Sequence, residues 1–187
     1  MSKGISYMRS LPQKVKNPRT QGQRSKFALT LALLKPMTAF LRTGWKLYAH
    51  RQSPFNAATS YTLANAITGT YPDYSVDVSK VLVSRGALIP ATNETANATG
   101  GNLTISWDNN SSAGSAKATD KALIVVLNLE KGEAITNDAG AERNTETQSV
   151  VLPADWLGDE VQAYLGFVSD DGKEVANSVY LGVIQIA

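Results

Sequence analysis

Apolar residues recur every three or four positions in the first third of the chain and at roughly every second position after it. Phe27, Leu31 and Leu34 fall on one stripe, widened by Ala28, Leu29, Ala32 and Leu33. With Thr20 as an N-cap, they predict a helix from Thr20 to about Leu34. Pro36 suits the first turn of a second helix, where its missing N–H costs nothing. Met37, Phe40, Leu41, Trp45 and Tyr48 keep helical spacing there, while Lys35, Arg42 and Lys46 can point away. A third helix is expected after Ser53-Pro54, running to about Ile67 through Phe55, Ala58, Tyr61, Thr62 and Asn65, with Gly69 as its stop. Upstream, Ile5, Tyr7, Arg9 and Leu11 alternate as in a short extended segment, and Pro12 and Pro18 bracket an irregular basic stretch.

From Tyr74 the period drops to two. Val76, Val78, Val81 and Val83 stand among polar neighbours with a break between the two pairs, and Leu103, Ile105 and Trp107 alternate strictly after Gly100-Gly101. Leu123 to Leu129 is a near-continuous apolar run, as in a buried strand. Val150 to Leu152, Val161 to Val168 and Val179 to Ile186 complete the set, with Asp170-Asp171-Gly172 as a turn before the last. Residues 91–101 and 108–119, rich in Asn, Thr, Ser, Ala and Gly, read as loops. Six or seven short strands over about 110 residues predict an antiparallel β-sandwich of the Ig/fibronectin-like kind. Trp107 would fill its core, and Leu152-Pro153 with Trp156 is similar to the corner before a late strand in fibronectin-like domains. The fold class is therefore α+β, with a helical region over 1–72 and a sandwich over 73–187.

Charge sharpens that division. Residues 1–52 hold eleven Lys and Arg and no acid, the first carboxylate being Asp73. The remainder holds all sixteen acids against seven basic residues, so the front carries +11 and the back −9. Such asymmetry points to an anionic partner or to pairing between unlike halves. Lys14, Lys16, Arg19, Arg24 and Lys26 cluster around Asn17-Pro18 and, with Arg42 and Lys46, are the candidate contacts. Nucleic acid is one such partner, with Tyr7, Trp45 and Tyr48 as stacking faces. Neither a helix-turn-helix pattern nor a zinc-finger spacing accompanies it. The plainer reading is a basic surface that packs on the acidic sandwich of a neighbouring copy, or one that is solvated.

Catalytic chemistry finds little to stand on. The chain has no Cys, so no disulfide, thiol nucleophile or thiolate metal site can form. His50 is the single histidine and lacks a nucleophile motif or an acidic orienter. Asp170-Asp171-Gly172 lacks the alternating ligands and terminal Glu of a calcium loop. Gly100-Gly101 and Gly132 lack the strand-to-helix context of a phosphate cradle. Asp159-Glu160 and Glu142 read as solvated loop charges. Five Asn-x-Ser/Thr sequons between Asn93 and Ser112 would matter only in a glycosylating pathway. The sandwich aromatics offer glycan stacking if they share an exposed face. No metal, cofactor or membrane span is expected, the longest apolar segment, Phe27 to Leu34, being far below the roughly 20 residues a span needs.

Several segments carry a family resemblance. Tyr7-Met8-Arg9-Ser10-Leu11-Pro12, Asn17-Pro18-Arg19-Thr20 with Gln23 and Arg24, Phe55-Asn56-Ala57-Ala58 and Lys80 through Gly86 are among them. Thr119-Asp120-Lys121-Ala122, Leu152 through Trp156 and Tyr164 through Tyr180 are others. Together they resemble an uncharacterised Bacteroidota family of unknown function along nearly the whole chain. The Asn-Pro-Arg-Thr-x-x-Gln pattern is also similar to segments of phage and prophage structural proteins. Relatives carry a glycine-rich stretch before the Ile5-Ser6-Tyr7 equivalent, which implies that Met1 is an internal or shortened start.

The expected function is that of a non-enzymatic structural or assembly protein, a virion or filament component. It would self-associate, or anchor to another structural protein, through the basic front. A binding module for nucleic acid or glycan is the alternative. The expected location is a virion or a cytoplasmic assembly, or outside the cell if the N-terminus is incomplete.

Overall fold

The computed structural model describes residues 18–186. Three helices come first, α1 (Pro18–Leu34), α2 (Thr38–Gly44) and α3 (Pro54–Asn65), with 3-10 turns at Lys35–Met37 and Lys46–Tyr48. A hairpin of β1 (Ile67–Thr70) and β2 (Asp73–Val76) follows. Seven further strands make two sheets. β3 (Thr95–Thr99), β4 (Asn102–Ser106) and β7 (Thr147–Val151) form one, in the order β3-β4-β7. β5 (Lys121–Asn128), β6 (Glu133–Asn137), β8 (Glu160–Val168) and β9 (Val179–Gln185) form the other, in the order β6-β5-β8-β9. Every strand pair is antiparallel, and the chain changes sheet after β4, β6 and β7. That is the Greek-key wiring expected of an Ig/fibronectin-like sandwich.

The four-stranded sheet is covered on both faces, which explains the continuous apolar run of β5. Ala122, Ile124 and Val126 join Leu103, Ile105 and Trp107 in the core between the sheets. Leu123, Val125 and Leu127 face the other way and pack with Leu34, Phe40, Leu41 and Trp45 of the helical front. β8 divides likewise, Leu165 and Phe167 turning to the sandwich and Tyr164 and Val168 to the helices. The helical front thus docks on its own sandwich as a third layer. Trp107 is buried edge-on to Phe167, with ring centroids 5.6 Å apart, as its alternation predicts.

Several expectations need correction. α1 begins at Pro18, so Thr20 lies inside the helix rather than capping it. α3 ends at Asn65, and Gly69 falls within β1 instead of serving as its stop. Ser53 does cap α3, its Oγ accepting from the Asn56 N–H at 3.2 Å. Val76 ends β2, Val78–Lys80 is a 3-10 turn, and Val81 and Val83 are buried outside any strand. Residues 91–101 are not all loop, because β3 pairs with β4 across Gly100-Gly101, both at positive φ. β6 also escapes the apolar pattern.

The face that α1 buries is the largest correction. Gly22, Thr30, Leu33 and Leu34 turn inward, while Phe27 is 47% and Leu29 36% exposed. The β1–β2 hairpin meets the face so turned, and α3 packs beside it. Tyr71 donates its hydroxyl to Gln21 Oε1 at 2.9 Å, and the Lys26 ammonium sits 4.7 Å from the Tyr74 ring centroid. Gly22 admits the Tyr74 hydroxyl so closely that a Cβ there would lie 3.2 Å from it. Buried Thr30 is satisfied within the helix, donating to the Lys26 carbonyl at 3.0 Å.

Candidate functional site

Residues 83–86, Val-Ser-Arg-Gly, run irregularly between the helical layer and the end of the four-stranded sheet, and backbone contacts hold them on both sides. The Ser178 hydroxyl accepts from the Val83 N–H at 2.9 Å, and the Ser178 N–H donates to the Ser84 carbonyl at 3.0 Å. Ser84 donates its hydroxyl to the Ala176 carbonyl at 3.0 Å. The Arg85 N–H donates to the Gly44 carbonyl at 2.9 Å, and the Gly86 N–H to Asn177 Oδ1 at 3.1 Å. Gly44 and Gly86 allow this approach, since a methyl at either would overlap the carbonyl of Val83 or Val175.

This clamp presents Arg85 over three aromatic rings. Its guanidinium carbon lies 4.3 Å from the centroid of Tyr48, 5.1 Å from Tyr61 and 5.7 Å from Trp45. Trp45 is buried, and its indole N–H donates to the Leu82 carbonyl at 3.2 Å, which fixes the ring that anchors the cluster. A cleft of about 420 Å³ opens here, with Gln52, Ser60 and Asn65 beside Arg85 and the rings. Among the described residues, Arg85 pairs with no carboxylate. No acid precedes Asp73 in the sequence. Counting charge passes over Arg85, because it is one of seven basic residues in the acidic part of the chain. Trp45 and Tyr48 stand at helical spacing in the sequence, but nothing there joins them to Tyr61, thirteen residues on, or to Arg85.

The second feature is the outer face of α1. Phe27, Ala28 and Leu31 with Leu63 line a shallow groove of about 460 Å³ whose polar edge is Gln23 and Arg24. On the other flank Leu29 and Ala32 meet Val76, Leu127 and Leu129 around a cavity of about 270 Å³. The sandwich has exposed apolar residues of its own, Val151 at 76%, Leu157 at 65% and Val183 at 54%.

The candidate basic contacts have separate fates. Lys14 and Lys16 lie outside the described residues, and Arg19 stands in the first turn of α1. Arg24 is exposed at the groove, Lys26 stacks on Tyr74, and Arg42 is exposed on α2. Lys46 is half-buried, and its Nζ would lie 3.3 Å from a Cβ at Gly172. Trp45 is buried and offers no free stacking face, Arg85 lies over one face of Tyr48, which is still 38% exposed, and Tyr7 is outside the described residues. His50 is exposed after the second 3-10 turn. Asp170-Asp171-Gly172 forms the predicted turn, with Asp171 Oδ1 accepting from the Lys173 N–H at 3.0 Å and from the Ser169 hydroxyl at 2.7 Å. Asp159 and Glu142 are ion-paired rather than merely solvated, to Lys131 and Lys121 respectively. Among the described residues no acidic or histidine cluster is placed to hold a metal, and no helix is long and apolar enough to cross a membrane.

A model of a family of unknown function, DUF6266, matches residues 1–182, and the chain belongs to that family. No curated protein matches the chain.

Proposed function

We propose that this member of a family of unknown function is a non-enzymatic structural or assembly protein that associates with further copies of itself through the outer face of α1. One observation carries the reading. α1 turns Gly22 and Thr30 inward and leaves Phe27 about half in water beside Arg24, with Leu29 partly exposed on the other flank. Apolar surface of this kind gains roughly 25 cal/mol per Å² when a partner covers it.

A second copy suits the face because the rest of the chain complements it. The sandwich part carries −9, and its exposed Leu157 lies between Asp155 and Glu160 in sequence. Residues 1–17 carry four basic groups and no acid, so they lack the charge to complement Arg24. Contact between unlike patches is heterologous and builds rings or filaments. The similarity of Asn17-Pro18-Arg19-Thr20 to phage structural segments favours a component of a particle or filament.

Light scattering at low salt and at about 0.15 M salt tests this. Assemblies should grow with concentration, shrink with salt and disappear in Phe27→Asp. A monomer at every concentration in low salt would overturn the reading. So would assembly that increases when residues 1–17 are removed, because that segment would then be the occupant of the groove. One separate feature, the Arg85 cleft, favours a binding role beside assembly.

A further inference from the structure

We infer that the cleft beneath Arg85 binds a ring-shaped ligand bearing one carboxylate, an acidic sugar of the uronate class. The inference is independent of self-association, since it uses neither α1 nor a second copy.

Stacking satisfies only the face of the guanidinium. Its N–H donors radiate in the plane of the group, as a planar fork matched to a carboxylate. Among the described residues none of those donors makes a hydrogen bond, although the backbone of Arg85 is fixed through Gly44. A charge held this way, partly shielded by three rings, is an anion receptor already in its bound geometry, and such preorganisation lowers the cost of binding. The cleft's volume of about 420 Å³ falls in the usual range for small-ligand sites.

The lining narrows the ligand class. Tyr48 is 38% exposed and offers ring surface to a flat apolar face such as that of a pyranose. Gln52, Ser60 and Asn65 are exposed around it, and Asn65 uses its amide N–H on the Tyr61 carbonyl at 2.8 Å, leaving its oxygen to accept. Aromatic surface with amide and hydroxyl groups suits a polyhydroxylated ring. Arg85 is the one cation among these lining residues, which matches a single negative charge better than a phosphate monoester carrying nearly two.

Titration of glucuronate, glucose and glucose 6-phosphate into the full chain, followed by NMR of the Trp45 indole and by calorimetry, tests the inference. Saturable glucuronate binding is expected, at least tenfold tighter than glucose. Arg85→Gln should weaken it at least tenfold with an unchanged melting temperature. Ser60→Trp, which fills the cleft from an exposed position, should abolish it if Arg85→Gln folds poorly. Phe27→Asp should bind normally, which separates this site from the assembly face. Absence of glucuronate binding, equal binding of glucose, tighter binding of glucose 6-phosphate, or full binding by Ser60→Trp would each overturn the assignment.

Discussion

Asp120 and Arg143 form an ion pair in which neither side chain is exposed, with Arg143 Nε 3.1 Å from Asp120 Oδ2. The guanidinium also donates to Asn110 Oδ1 at 2.6 Å and to the Ile89 carbonyl at 2.9 Å, and lies 3.9 Å from the Phe167 ring centroid. The Arg143 carbonyl accepts from the Trp107 indole at 2.8 Å. One arginine therefore ties the segment before β3 and the Asn-rich loop before β5 to the sandwich core. Burial lowers the Arg143 pKa, and Asp120 opposes that shift.

Asp120→Ala should leave an uncompensated buried cation and cost about 3–5 kcal/mol. The double variant Asp120→Leu with Arg143→Met should cost less than Asp120→Ala, because no charge is then stranded. Urea denaturation of both gives the comparison. Equal losses would mean that the pair is not the source of the effect.

Gly86 should tolerate no side chain. A methyl would overlap the Val175 carbonyl, which cannot retreat without giving up its bond from the Leu88 N–H at 3.0 Å. Gly86→Ala is expected to cost about 1–3 kcal/mol, the range for overpacking a filled site, and thermal melting reads it directly. An unchanged melting temperature would show that residues 84–88 are free to shift.

The sandwich was legible where burial follows the side-chain period. Leu103, Ile105 and Trp107 point one way into one core, and β5 is apolar throughout because both its faces are covered. β3 was hidden because its inward residues are Ala96 and Ala98, too small to mark a period. β6 was hidden because Ile135 is its one large apolar residue. The rotation of α1 could not be read at all, since the residues it meets, Tyr71 and Tyr74 among them, come from α3 and a hairpin later in the chain. Arg85 was illegible for a related reason: its aromatic partners come from α3 and from the turn after α2, far from it in sequence.

Stability should fall at both ends of the pH scale, by different groups. Hydrogen bonds from Lys131 and then Asn128 hold the Asp159 pKa below its ordinary 3.8. A depressed carboxylate stabilises the folded state above that ordinary value and loses the contribution as pH falls through the lower folded one. Burial raises the Tyr164 pKa above its ordinary 10.0. Its contribution is complete below pH 10.0 and declines above it, where the unfolded chain ionises and the folded one does not. Urea midpoints across pH should show Asp159→Asn flattening the acid limb and Tyr164→Phe the alkaline one. An unchanged acid slope in Asp159→Asn would assign that limb to other carboxylates.

Phe27 and Phe40 make the sharpest contrast within one helical layer. Both follow the apolar spacing, yet Phe40 is 2% exposed against 47% for Phe27. Phe40→Ala empties a place in the core beside Leu41 and Trp45 and should cost about 3–5 kcal/mol. Phe27→Ala removes a side chain already half in water and should cost well under about 1 kcal/mol in the monomer. Measured at salt concentrations that dissociate any assembly, the two losses report what lies over the groove of α1. A loss at Phe27 as large as that at Phe40 would mean that the chain itself covers this face, and that assembly must use another.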